Sequence, residues 1–381
     1  MNHSQNLLHT FASIILLSVL YPAHAADPVR GQMLFDVTYT CNACHGGGVI
    51  PSIDNPVIGS GGTVAGLQAA MQLIPMSSLY ANTLAINPTD LADIAAYIAL
   101  GSAPNRDQHG FTGSWYEAAT SGQGIELEVY PSTTIMNGSW FVSWFTYDTA
   151  AGGADHQRWY TALGSLLFGQ PIVPLTIYQN TDGNFDAPPT TNSQPVGTAT
   201  LYFDTCTSGS FSYSFSDGTG RMGTIPLTRL TQNVTCATTT LKYPTNADFA
   251  LSGNWYEAAT SGQGFTVEVN PNSSYLFAAW YTYEPNGVAA GAAGQRWYTA
   301  QASFTAGERS IPVTIYQTTG GIFDTPTPPG EQQVAVGTGT LAFQSCTVAT
   351  FSYNFTGGSS SGLSGTIPLM RVGPVPPGCT T

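Results

Sequence analysis

The sequence predicts a multidomain protein: a small all-α domain over residues 27–104, then two repeated all-β antiparallel domains, barrels or sandwiches, over 111–241 and 249–381. Three observations carry this. The first is an internal repeat. Trp115-Tyr116-Glu117-Ala118-Ala119-Thr120-Ser121-Gly122-Gln123-Gly124 recurs unchanged at 255–264, and Gln157-Arg158-Trp159-Tyr160-Thr161-Ala162 recurs at 295–300. Thr176-Ile177-Tyr178-Gln179 returns at 314–317, and Gly223-Thr224-Ile225-Pro226-Leu227 at 365–369. The offsets stay between 138 and 142, so each copy is domain-sized and the pair is a duplication, not a solenoid of short units. The second is periodicity. Phe211-Ser212-Tyr213-Ser214-Phe215 and Phe351-Ser352-Tyr353-Asn354-Phe355 alternate as half-buried strands do. Trp140 to Tyr147 is aromatic and β-branched. Clusters of Gly, Pro, Asn and Asp separate such runs, and no helical period competes. The third is a change of signal ahead of the repeat. Asp27 with Pro28 opens one short helix, and Asn87-Pro88-Thr89-Asp90 opens another, with Leu91, Ile94, Ala95 and Ile98 on one face and Gly101 at its end.

Composition narrows the function classes. Apolar residues make up 42% of 381, and the 42 Gly and 25 Pro stay below the share seen in low-complexity chains, so a packed core is feasible. Charged residues are 8% and the net charge is −13, which leaves no basic footprint for duplex nucleic acid or anionic lipid. A surface carried by Ser, Thr, Asn, Gln and Gly points to export. The apolar run Leu7 to Leu20 is too short for a bilayer span, and Ala23-His24-Ala25 follows it as a small-x-small cleavage site. Residues 1–25 therefore read as a signal peptide, although no Lys or Arg marks its start. No other stretch reaches membrane length. The expected location is periplasmic or secreted.

Six cysteines divide into three pairs. Cys41-Asn42-Ala43-Cys44-His45 has the C-x-x-C-H spacing of covalent haem c attachment, in which two thiols form thioethers and the next residue, His45, supplies an imidazole to the iron. A zinc site would need a second ligand pair, and no second C-x-x-C exists. Cys206 with Cys236, and Cys346 with Cys379, fall at matching places in the repeat and predict one disulfide per copy. The glycine clusters at 46–48 and 59–62 lack the Lys and the strand–helix context of a phosphate loop.

With Gly31-Gln32-Met33-Leu34-Phe35, Cys41-x-x-Cys44-His45-Gly46 and Asp90 to Ile98 on the page, the first 78 residues after the signal resemble the small monohaem cytochrome c family. That resemblance implies two terminal helices crossing near Gly31, Phe35 and Tyr97, and a Met sulfur as second axial ligand. Met76, after Pro75, is the favoured donor, and Met71, on a short helix, the competitor. It implies one-electron transfer to a redox partner protein rather than catalysis. In the repeat, Phe111-Thr112-Gly113-Ser114-Trp115 resembles the Gly-x-Trp opening of lipocalin-type barrels, with Arg229 or Arg371 placed to stack on that Trp.

The repeated polar residues Glu117/Glu257, Gln123/Gln263, Glu128/Glu268 and Arg158/Arg296 allow several readings. Two carboxylates could serve a glycosidase. Arg158 could instead pair with one of these acids and pin Trp115, Trp159 and Tyr160. Ring-bearing residues could also stack on a glycan or surface ligand. A haem-linked oxidoreductase remains the enzymatic alternative. His109 and the segment 102–107 read as a linker on which the first domain swings.

Overall fold

The computed structural model describes residues 34–35, 63–71, 86–100, 106–132, 138–166, 172–236, 246–285, 291–326, 328 and 331–380. Sixteen antiparallel strands occur among them, eight per copy. Copy one runs β1 (Gly113–Tyr116), β2 (Gly124–Tyr130), β3 (Gly138–Tyr147), β4 (Gln157–Leu166), β5 (Val173–Thr181), β6 (Asn192–Phe203), β7 (Ser208–Phe215) and β8 (Met222–Arg229). Copy two runs β9 (Gly253–Tyr256), β10 (Gly264–Asn270), β11 (Tyr275–Tyr283), β12 (Gln295–Ser303), β13 (Ser310–Thr319), β14 (Gln332–Phe343), β15 (Val348–Phe355) and β16 (Ser364–Arg371). Each strand pairs with its sequence neighbour, and each sheet closes on itself, Trp115 opposite Arg229 and Trp255 opposite Arg371. Closure removes the free edges that a sandwich would leave.

Alternation sets the two faces. In β2, Ile125, Leu127 and Val129 are in the core cluster while Glu126 and Glu128 point the other way. Eight strands leave an interior just wide enough for side chains, and aromatic rings fill it. Trp115, Trp140, Trp144, Phe203 and Phe211 pack inside the first barrel, and Trp255, Phe265, Trp280, Phe343 and Phe351 inside the second. These rings fill the barrel interiors. The Arg–Trp stack itself is present, with the guanidinium of Arg229 5.4 Å from the Trp115 ring centroid and that of Arg371 4.9 Å from Trp255.

The disulfides Cys206–Cys236 and Cys346–Cys379 tie the segment after each last strand back to the turn before β7 or β15. Two such bonds mark an oxidising, non-cytosolic compartment. Among the described residues no helix is long and apolar enough to cross a membrane.

The expected small all-α cytochrome c domain is corrected. The described part of the chain is nearly all β. Ahead of residue 106 it shows only the dipeptide Leu34–Phe35 and two helices, α1 (Val64–Met71) and α2 (Pro88–Leu100). The physical reason is that C-x-x-C-H spacing and a capped helix are local signals; neither supplies the packed core of an all-α fold. What is seen is a small cluster in which Phe35 meets Tyr97 edge-on at 5.6 Å and Tyr202 of β6 packs against it.

Of the segment read as a linker, residues 102–105 lie outside the described residues, and residues 106–107 depart from that reading. Arg106 is buried, donates from Nη2 to Phe203 O at 3.0 Å and lies 5.2 Å from the Tyr202 ring. Asp107 accepts from Ser132 N at 2.6 Å. These contacts seat residues 106–107 on the first barrel.

Candidate functional site

The two barrels meet through the outer faces of β1–β4 and β9–β12, and nearly every contact has its mirror. Gln157 Nε2 donates to Trp297 O at 2.8 Å, and Gln295 Nε2 donates to Trp159 O at 2.8 Å. Trp159 Nε1 reaches Thr282 O at 3.1 Å, and Trp297 Nε1 reaches Thr146 O at 2.9 Å. Arg229 pairs with Glu268 at 3.1 Å and Arg371 with Glu128 at 3.2 Å, with all four side chains fully buried. This reciprocity is the signature of an isologous two-fold interface, built here within one chain. His109 and its counterpart Phe249 pack ring to ring at 5.6 Å. The linker reading of His109 is thereby corrected: it is buried, and desolvation, helped by Arg371, lowers its pKa to about 3, so the imidazole is neutral.

Loops complete the exchange. The β5–β6 loop of copy one inserts Phe185 into the second barrel, 5.3 Å from Trp280. The β13–β14 loop of copy two inserts Phe323 into the first, 5.2 Å from Trp144. Asp186 accepts from Tyr353 OH at 2.5 Å, and Asp324 accepts from Tyr213 OH. Gln123 and Gln263 hold the loops by donating to Ile322 O at 3.0 Å and Asn184 O at 2.9 Å. Each barrel's mouth is thus plugged by a phenylalanine from the other copy.

A cavity of about 730 Å³ opens between the barrels. The first barrel contributes the outer faces of Phe141, Ser143, Trp159, Thr161, Tyr178 and Asn180. The second contributes Asn254, Tyr256, Gln263, Thr266 and Tyr281, and the β5–β6 loop adds Thr190 and Thr191, with Ser193 at the start of β6. No lining residue is charged. The wall is a hydrogen-bonded relay. Ser143 Oγ and Thr266 Oγ1 are 3.2 Å apart, Thr266 donates to Asn254 Oδ1 at 2.6 Å, Asn254 Nδ2 donates to Tyr130 OH at 3.2 Å, and Tyr130 donates to Glu128 at 2.8 Å. The relay anchors the cavity wall to the buried Glu128–Arg371 pair. A register shift between Ile177 and Tyr178 is the kind of bulge that re-aims a side chain, and Tyr178 there is half-buried.

The sequence-expected site residues fare unevenly. Cys41, Cys44, His45 and Met76 lie outside the described residues; Met71 closes α1. The metal-binding expectation finds no support among the described residues, where no group of three or more His, Cys, Asp or Glu is placed to hold an ion. Arg158 pairs with Asp148 at 2.6 Å and Arg296 with Glu284 at 2.9 Å, not with the repeated acids. Glu117 and Glu128 form no acid pair. Glu128 is sealed against Arg371, and Glu117, whose pKa burial and the Asp324 charge push up, sits at the barrel mouth. The plug phenylalanines were missed, although Phe185-Asp186 and Phe323-Asp324 recur at the repeat's own offset of 138.

Glu126 gives a pH prediction. It is fully buried, accepts from Ser114 Oγ at 2.9 Å, and burial with the Glu268 charge holds its carboxyl well above the ordinary 4.5. A folded value above the unfolded one means the folded state binds the extra proton, so stability falls as pH rises past the unfolded value. Glu126→Gln is therefore expected to match the parent near pH 4 and to exceed its stability increasingly toward pH 8. Urea melts across that range check this; a constant difference refutes it.

No family model and no curated protein matches the chain. A solved structure, Aeromonas veronii immune modulator A, aligns with 68% of this chain and 94% of its own at 13% identity and a TM-score of 0.20. A superposition that loose carries no argument about fold or function.

Proposed function

We propose that this is an exported binding protein whose two barrels act as one unit and take an uncharged, hydroxyl-rich ligand, a glycan, in the cavity between them. The observation that carries this is the lining: aromatic faces at Phe141, Tyr178 and Tyr256, surrounded by hydroxyl and amide groups and free of charge. Pockets of this size and mixed character suit a small ligand held by apolar contact and a few polar groups. A charged ligand would lose its hydration there without gaining a counter-charge. A filled barrel interior and carboxylates locked to arginines argue for binding over hydrolysis. The paired cysteines and the leading apolar run support a periplasmic or secreted site of action. Retention of the full chain on cellulose, chitin or xylan, and not on alginate, is the expected result. Equal recovery in the unbound fraction for all three neutral polymers refutes the reading.

The cofactor expectation stands apart from the family assignment that the fold overturns. We propose that Cys41 and Cys44 bind a haem covalently with His45 as an axial ligand; the support is the thiol–thiol–imidazole donor set at C-x-x-C-H spacing. Such a group supplies one-electron exchange. Met76 is the proposed second ligand. Absorption spectra of material made with cytochrome maturation, with Met76→Ala and Met71→Ala beside the parent, test both parts. Haem retained through denaturation and a band lost only in Met76→Ala is expected; a colourless preparation overturns the attachment.

A further inference from the structure

Duplication gives the interface two pseudo-equivalent sides, and the cavity described above occupies one of them. Thr266 of β10 corresponds to Glu126 of β2 in the repeat. Thr191 corresponds to Glu331: a Cβ on Gly262 would lie 1.6 Å from Thr191 Oγ1, as one on Gly122 would lie 1.6 Å from Glu331 Oε1. Tyr178 corresponds to Tyr316, and both are half-buried next to the same register shift. The two threonines line the open cavity. On the other side Glu126 Oε1 and Glu331 Oε2 are buried without a hydrogen-bond partner. Carboxylate oxygens facing an open cavity would be hydrated; these are closed over by protein. The longer acidic side chains occupy on one side the space that threonine leaves free on the other.

We propose that the chain binds one neutral glycan, on the Thr191/Thr266 side alone, with Tyr178 and not Tyr316 as its stacking platform. Thr191 and Thr266 are then the specificity-determining positions: small and uncharged, they keep this side open, while their acidic counterparts close the other. This rests on the cavity being the glycan site, and it adds stoichiometry, side and residue.

The duplication supplies its own control. Titration calorimetry of the full chain with cellohexaose, chitohexaose and xylohexaose is expected to find one of them bound at one per chain. Tyr178→Ala is expected to weaken that binding at least about tenfold, the cost of losing an aromatic anchor. Tyr316→Ala, the same change at the matching half-buried position, is expected to leave affinity within about twofold. Thr266→Glu is expected to abolish binding, while Thr266→Ser keeps it. Two ligands per chain, or equal loss in the two tyrosine variants, overturns the proposal while leaving the glycan reading standing. No binding of any of the three by the parent protein overturns both.

Discussion

Glu128→Ala is expected to lower the stability of the double barrel by about 3–5 kcal/mol, the cost of leaving a buried charge without its partner. Glu128 belongs to the first barrel, but its carboxylate serves the second. It accepts from Arg371 Nη1 at 3.2 Å and from Asn254 N at 2.6 Å, and Tyr130 donates to it at 2.8 Å. Arg371 keeps carbonyl acceptors at Ala250 and Ser252 and its stack on Trp255, yet among the described residues no second carboxylate pairs with it. The midpoint of thermal unfolding is expected to fall by about 10 °C or more. Removing both charges, as Glu128→Leu with Arg371→Leu, is expected to cost much less than the single change, because no unpaired ion remains. Urea melts of the three proteins decide it. A loss below about 1 kcal/mol in Glu128→Ala would mean that the pair is hydrated, and the account of the interface would fail.

Phe323→Ala is the second large effect, about 3–5 kcal/mol for truncating a buried phenylalanine. Its ring is 7% exposed and meets Trp144, Tyr213 and Phe215 of the other copy at 5.2, 5.7 and 5.9 Å. The loss therefore falls on the first barrel although the residue belongs to the second. The parent is expected to unfold in one calorimetric transition, since each mouth is closed by the other barrel. The variant is expected to show two, with the first barrel melting earlier. A single transition at an unchanged midpoint would show that the plug does not couple the barrels.

The all-β character of residues 111–380 was legible because alternation with period two is a one-dimensional pattern: Phe211, Tyr213 and Phe215 point inward wherever the strand goes. The disulfide partners were legible for the same kind of reason, as matching places in two copies. The site was not. Glu117 and Glu128 look alike in the repeat, yet one sits at a barrel mouth and the other is sealed against Arg371, 243 positions away. Arg158, expected beside the repeated acids, turned to Asp148. Helix and haem-attachment signals ahead of residue 105 were strong locally and did not determine an all-α domain.

By itself, then, the sequence determined strand periodicity, the duplication, the cysteine pairing and an almost uncharged surface, because each is written in residue type and spacing. It took the folded chain to show that the barrels close, that Phe185 and Phe323 trade places between them, and that two related faces enclose a cavity with an uncharged lining. Those outcomes depend on which outward-facing residues of one barrel meet those of the other. A duplicated chain can bury its copies against each other or leave them apart with the same internal pattern, so the choice lies in contacts far apart along the chain, where no spacing rule reaches.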